Sequence, residues 1–374
     1  MSDIFDTQGI VVFKVGSSTL VDSDGGVDQD FVASLADQMA RLRGEGYKPI
    51  LVSSGAVAAG FAQLGLPSRP KDMPSLQACA SAGQTALMQA YARAFGAHGL
   101  SVGQILLTRH DLADRQGYLN ARNTFGRLLE LGAVPIVNEN DTVSVAEFAF
   151  GDNDMLGAIV ATLVGASLYV ILSDIDGLYT ANPSQDPDAR LIDHLEGITP
   201  QVEAMAGGSG SSVGTGGMRT KLRAGHIALA GQVPMVICKG RRANALVDAV
   251  AGRGPQTRID PAPDSHYEGA RKLWLISSER PQGSIVLDDG AVRAVLEEGA
   301  SVLPVGVRRV EGDFAEQDLV DVRSLDGRLI GRGISRYSSE ELTRCQGLRL
   351  DVIGRFSPQK ANCPAVHRDD LVVF

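Results

Sequence analysis

Short, continuously apolar runs closed by glycine or small polar residues alternate along the first two thirds of the chain with stretches of helical spacing. GIVVFKVG (Gly9 to Gly16) reads as a strand, and Gln29 to Glu45 follows with Phe31, Leu35, Met39 and Leu42 three or four residues apart. PILVSSGA (Pro49 to Ala56) is a second strand turning into a helix. A long helical segment from Ser75 to Ala97 precedes the strand VGQILLT, then a helix from Tyr118 to Leu131 and the strand AVPIVNEN. Asp154 to Val164 reads as a helix, SLYVILSD as a strand, Gly217 to Ala230 as a helix and VPMVIC as the last strand of the series. Apolar strands separated by helices predict a three-layer α/β sandwich: a mostly parallel central sheet covered on both faces.

The alternation stops at Gly252. From there to Gly269 the chain reads GRGPQTRIDPAPDSHYEG, the composition of a linker. Beyond it, KLWLI, GSIVL and DLVDVRSLDGRLIGRGIS are short strands, interrupted by a helix near Ala291 to Glu298. Leu325-Asp326-Gly327 between β-rich runs is a hairpin signal. The expected organisation is an α/β domain over 1–257, a linker over 258–275 and a small, mainly β domain over 276–374.

Composition narrows the class. With 374 residues, 44 % apolar and 21 % charged, the chain is that of a two-domain globular protein. No apolar stretch approaches the roughly 20 residues that span a bilayer, and the first residues lack the pattern of a signal peptide. Four dispersed cysteines without a CxxC pair argue against a zinc site and a disulfide framework, and fit a reducing cytoplasm. The net charge of −9 argues against broad nucleic-acid binding, although local lysines and backbone N–H groups can still gather around a nucleotide.

Five polar clusters stand out, four of them just after predicted strands, the rim where open α/β sheets collect ligands. KVGSS places Lys14 and Gly16 where an ammonium and backbone N–H groups face one anion, or simply leaves a lysine at a solvated strand end. VSSGAVAAG, with Ser54, is either a close-approach site for a ligand or a tight turn capped by serine. In VNENDTV, Asp141 suits an amine, while Asn138 and Asn140 suit oxygens. In GDND, Asp154 either caps the next helix or holds lysines by charge pairing, with Asn153 then contacting the substrate. GTGGMRTKL is the most specific of the five. Its glycines, two threonines and Lys221 precede a helix, and a lysine so early in a helix calls for a compensating anion. SDIDGLYTANP adds a loop after a strand, with Tyr179 as a possible border for a base.

These motifs, in this order and spacing, resemble the amino acid kinase family, and most closely its glutamate-phosphorylating members. The tail from GxxxLPVGV through GRGISRYSS to HRDDLV resembles a PUA domain. The resemblance implies transfer of the γ-phosphoryl group of ATP, with Mg2+, to the γ-carboxylate of L-glutamate, the first step of proline synthesis. It makes Lys14 and Lys221 the phosphoryl-contacting lysines and Asp154 the residue that positions them. Ser54, Asp141 and Asn153 fall at glutamate-binding positions. Lys14, Gly16, Ser173, Asp174, Thr215, Gly216, Gly217, Met218, Arg219, Thr220 and Lys221 fall on the ATP side, and no protein ligand to the metal is assigned. Ser173 stands where a threonine is usual, keeping the hydroxyl, and Arg219 stands where a small residue is common. The resemblance also implies a homo-oligomer, dimer or tetramer, with L-proline as feedback inhibitor. A PUA domain suggests RNA, but Arg271 to Phe374 holds 15 Lys+Arg against 16 Asp+Glu, and a basic footprint is missing.

Overall fold

The computed structural model describes residues 9–22, 26–108, 111–112, 115–143, 153–183, 185–205, 217–263 and 281–373. The chain divides into two compact units, Met1–Tyr267 and Glu268–Phe374.

In the first unit the elements run β1 (Ile10–Val15), α1 (Ser17–Leu20), α2 (Gln29–Gly44), β2 (Lys48–Val52), α3 (Ala56–Gln63), α4 (Met73–Gly96), β3 (Val102–Leu107), α5 (Arg115–Glu130) and β4 (Val134–Glu139). They continue as α6 (Asn153–Val164), β5 (Leu168–Ser173), β6 (His194–Glu196), α7 (Pro200–Met205), α8 (Met218–Ala230), β7 (Met235–Lys239), α9 (Ala245–Val250) and β8 (Gln256–Asp260). The strand order is β3-β4-β2-β1-β5-β7-β8-β6. Every pairing is parallel except β7 with β8. The expected mostly parallel, three-layer sandwich is therefore present. Two strands were not anticipated. β6 has three residues, too few for a pattern, and β8 lies in the Pro- and Gly-rich stretch read as linker, where Ile259 and Thr257 are nonetheless fully buried.

Local chemistry sets the helix starts. Asp28 caps α2 by accepting from the Phe31 N–H at 2.9 Å, and Asp72 caps α4 through the Ser75 N–H at 3.0 Å. On one face of the sheet, Phe31, Leu35 and Met39 of α2 and Leu87, Tyr91 and Phe95 of α4 pack on Phe13, Val15, Leu51 and Val170. α6 covers the opposite face, where the Tyr169 hydroxyl donates to the Asp154 carbonyl at 2.7 Å. α3 and α4 cross with no clearance. A β-carbon at Gly60 would lie 1.7 Å from the Cys79 carbonyl oxygen, and one at Gly83 would lie 1.8 Å from that of Ala56.

The second unit contains β9 (Gly283–Leu287), α10 (Asp289–Glu298), β10 (Val307–Gly312), β11 (Leu319–Ser324), β12 (Leu329–Ser335), α11 (Ser339–Cys345), α12 (Leu350–Phe356) and β13 (Val366–Val373). Its strands form one sheet in the order β10-β9-β11-β12-β13, over a core that includes Ile285, Val320, Val322 and Tyr337. The hairpin expected at Leu325-Asp326-Gly327 joins β11 to β12, with Gly327 at φ +87°. The predicted strand KLWLI lies outside the described residues. Several closely spaced arginines of this unit have carboxylate partners: Arg308 with Asp288, Arg309 with Glu311, Arg332 with Asp321 and Arg336 with Asp370. No helix among the described residues is long and apolar enough to cross a membrane.

Gly83→Ala should force α3 from α4 and lower stability by about 3 kcal/mol. Denaturant unfolding with an unchanged midpoint would contradict that crossing geometry.

Candidate active site

Strand alternation decides where Lys14 goes. Phe13 and Val15 face the core beneath α2 and α4, so Lys14 between them faces the other side, where α6 begins. Asp154 is the second residue of α6, and Lys221 lies in the first turn of α8. Lys14 Nζ stands 2.6 Å from Asp154 Oδ1 and Lys221 Nζ 3.1 Å from Oδ2. Asp154 is wholly inaccessible, and the two lysine side chains are 5 % and 7 % exposed. Burial alone would raise the Asp154 pKa, but the two ammonium groups outweigh it and hold the carboxyl below its ordinary value of 3.8. One carboxylate against two ammonium groups leaves this buried trio net positive. Two ammonium groups gathered at the strand ends are an arrangement suited to an anion.

A chain of amides runs from the trio toward β4. Asn153, next to Asp154, donates through Nδ2 to the Ser53 carbonyl at 2.5 Å, to Ser54 Oγ at 3.2 Å and to Asn138 Oδ1 at 2.7 Å. Asn138 Oδ1 also accepts from the Glu139 N–H at 2.9 Å, and Asn138 Nδ2 donates to Gln84 Oε1 at 2.8 Å. Asn138 is thus an internal brace. One hydrogen of its NH2 group goes to Gln84, and the expected donation to ligand oxygens would use the other. Gly55, at φ +85°, begins α3 in a conformation that glycine adopts without strain, and it sits against Ser17 of α1. The KVGSS, SSGA, NEND, DND and TKL segments therefore meet at one rim.

Asp141 lies in the turn after β4, in a small cleft with Ala56, Gln84, Glu139, Asn140 and Thr142. Burial, reinforced by the nearby Glu139 carboxylate and opposed by Arg69, pushes its pKa up to about 6.

On the other side of Lys14, Ser173 ends β5 and donates to Asp174 Oδ1 at 3.0 Å, beside Lys239 of β7. Gly16 leaves room near the ammonium: a β-carbon there would sit 3.7 Å from Lys14 Nζ. Gly217 is the residue before α8, Met218 is half-buried and Arg219 is exposed. Thr220 turns its hydroxyl back onto the Gly217 carbonyl at 2.7 Å. Thr215 and Gly216 lie outside the described residues.

Comparison with known proteins identifies the family. Residues 9–239 match the amino acid kinase family, and residues 283–355 match the PUA domain. The chain belongs to the amino acid kinase family. A glutamate 5-kinase from Geobacter sulfurreducens is 48 % identical over 364 residues, 97 % of each chain. A glutamate 5-kinase from Pelobacter propionicus is 45 % identical over the same length, again 97 % of each. The solved carbamate kinase from Giardia lamblia is 16 % identical with a TM-score of 0.49, covering 67 % of this chain and 98 % of that one.

Two polar residues beside Asp141 in the candidate site were not singled out by the sequence reading. Gln84 sits mid-helix, on the stripe of Ala80, Gly83, Leu87 and Tyr91, all buried. Glu139 is buried at the end of β4. The usable signal for the first was a glutamine at a core-facing position of an otherwise small and apolar stripe.

Asp154→Asn should cost about 3–5 kcal/mol in denaturant unfolding, because it strips two buried ammonium groups of their partner. Since the folded pKa is depressed, the stabilisation by Asp154 is complete above pH 3.8 and is lost as the pH falls below it. The variant should lack that part of the acid loss, and an unchanged acid limb would count against the pairing.

Proposed function

We propose that this chain phosphorylates the γ-carboxylate of L-glutamate with ATP, giving ADP and L-glutamyl 5-phosphate, the first step of proline synthesis. The carrying observation is the buried, net-positive Lys14–Asp154–Lys221 trio at the strand ends. The glutamate 5-kinases that match across nearly the whole chain support the choice of acceptor.

A carboxylate is ionised and nucleophilic at neutral pH, so the reaction needs no general base. An oxygen of the γ-carboxylate attacks the γ-phosphorus, the bond to the β-phosphate oxygen breaks, and ADP leaves with the bonding pair. The obstacle is bringing anions together while charge spreads over the migrating group. Lys14 and Lys221 supply fixed positive charge from two sides, and Asp154 keeps them in place before substrate arrives. With the Asn153 amide engaged by Ser53, Ser54 and Asn138, Ser54 and the backbone N–H of Asn153 at the start of α6 hold the acceptor end of glutamate, and Asp141 takes its ammonium. Backbone N–H groups at the start of α8 and the Ser173-Asp174 rim suit the nucleotide.

Mg2+ fits the site only through the nucleotide. Asp154 is committed to two lysines, and no group of three or more His, Cys, Asp or Glu residues that could hold a metal occurs among the described residues. Bound to the phosphates, it would neutralise part of their charge. The same reading carries a cytoplasmic enzyme, a homo-oligomer and L-proline as inhibitor, the last two checked by sedimentation and by adding L-proline to the assay. RNA binding is no part of it, because residues 271–374 hold no excess of basic over acidic residues and Arg308, Arg309, Arg332 and Arg336 carry carboxylate partners.

Trapping the acyl phosphate with hydroxylamine tests the reaction: glutamate should give hydroxamate, and N-acetylglutamate, aspartate, carbamate and UMP should not consume ATP. Lys14→Ala and Lys221→Ala should each lower kcat by roughly a hundredfold or more, with smaller changes in glutamate KM. Full turnover in either variant would remove that lysine from the chemistry.

Asp141 must be ionised to pair with an ammonium. With its pKa at about 6, glutamate KM should climb as the pH drops below that value, approaching about tenfold per unit. Asp141→Asn should show a high KM without this limb. A wild-type KM that stays flat from pH 7.5 down to about pH 5 would free Asp141 from the role.

A further inference from the structure

We propose that Gln84 is a substrate-binding residue, its side-chain amide donating to the α-carboxylate of the amino-acid substrate. The assignment rests on the glutamate reading above and adds a residue that sets specificity for the end of the substrate remote from the reaction.

Hydrogen-bond accounting fixes the amide. Asn138 Oδ1 is identified as oxygen because it accepts from a backbone N–H, that of Glu139, at 2.9 Å, as well as from Asn153 Nδ2 at 2.7 Å. The other end of Asn138 is therefore its NH2 group. That group approaches Gln84 at 2.8 Å, so the atom it meets must be the Gln84 oxygen. The Gln84 NH2 group then lies on the other branch of the amide. Gln84 lines the cleft with Glu139, Asn140, Asp141 and Thr142, and Asn138 does not. Among the described residues Gln84 Nε2 makes no hydrogen bond. A glutamine only 9 % exposed, on the buried face of α4, has its acceptor satisfied and its two donors unspent beside that cleft.

The cleft's charge determines what those donors can take. Glu139 and Asp141 line it, so a bare carboxylate would be repelled. An amino acid avoids this by placing its ammonium against Asp141. Its α-carboxylate is attached to the same carbon, so it must settle in the same cleft while the side-chain carboxylate reaches toward the lysines. A neutral NH2 donor stabilises that carboxylate without competing with the substrate's ammonium for Asp141, as an arginine or lysine would. The amide chain from Asn153 through Asn138 to Gln84 then connects both ends of the substrate through side chains of predetermined orientation.

The test compares L-glutamate with its 1-amide, isoglutamine, using hydroxamate formation by the full-length chain. Wild type should prefer glutamate in kcat/KM. Gln84→Glu keeps the acceptor for Asn138 and replaces the donor by an anion. It should raise glutamate KM by roughly tenfold to a hundredfold with a smaller change in kcat, and narrow the preference over isoglutamine by a similar factor. Gln84→Met, read alongside it and checked by thermal melting, removes the donor without adding charge. It should weaken glutamate more than isoglutamine. If both variants keep the wild-type preference, Gln84 does not contact the α-carboxylate. An equal loss for both substrates, confined to kcat, would likewise overturn the contact and leave a purely structural role. A wild-type chain that forms no hydroxamate from glutamate would sink the function itself, and this assignment with it.

Discussion

A single carboxylate, sealed from water between two ammonium groups, governs the first unit. Asp154 is fully inaccessible, and its partners come from the first strand and from a helix more than 200 residues later in the chain. Charges in such a place are tolerated only when each finds an opposite. In the proposed reaction, the same two ammonium groups that Asp154 holds in place would meet the charge of the transferring phosphoryl group.

That pairing explains why the sheet is ordered as it is. β1 lies between β2 and β5, so the ends of the three strands deliver Lys14, Ser53-Ser54 and Ser173 to adjacent points of one rim. β4, next to β2, adds Asn138 and Glu139. Each contribution is a side chain or turn at a strand's carboxyl end, where a parallel sheet leaves a crevice. The amides of Asn153 and Asn138 then tie the β1–β5 half of the rim to the β2–β4 half, so their positions depend on one another.

Much of this was legible in the residues. Apolar runs gave β1, β2, β4, β5 and β7, because a strand buried on both faces has no polar alternation to obscure it, while β3, partly exposed at the sheet edge, showed through Ile105-Leu106-Leu107. The lysines were legible from their neighbours: glycine beside Lys14, and the awkward position of Lys221 in a helix's first turn. What escaped notice had specific causes. β8 is built from Gln256, Thr257, Arg258, Ile259 and Asp260, a polar composition framed by prolines, and its pairing with β7 and β6 makes it a strand. Local pattern also does not tell that the Thr220 hydroxyl reaches back to the Gly217 carbonyl or that the Asn138 amide gives one hydrogen to Gln84. Gln84 drew no notice because local pattern does not reveal that a mid-helix position lies under a strand end from another part of the chain.

The two walls of the amino-acid cleft differ in stiffness. One is the α3–α4 pair, whose backbones touch at Gly60 and Gly83 with no space for even a methyl group. The other is the turn of Asn140, Asp141 and Thr142, joined to β4 at one end. A protein wishing to accept a longer or bulkier acceptor has nowhere to move the helices. Deliberate retargeting of the proposed acceptor site therefore has more latitude in the residues of that turn than in the two helices.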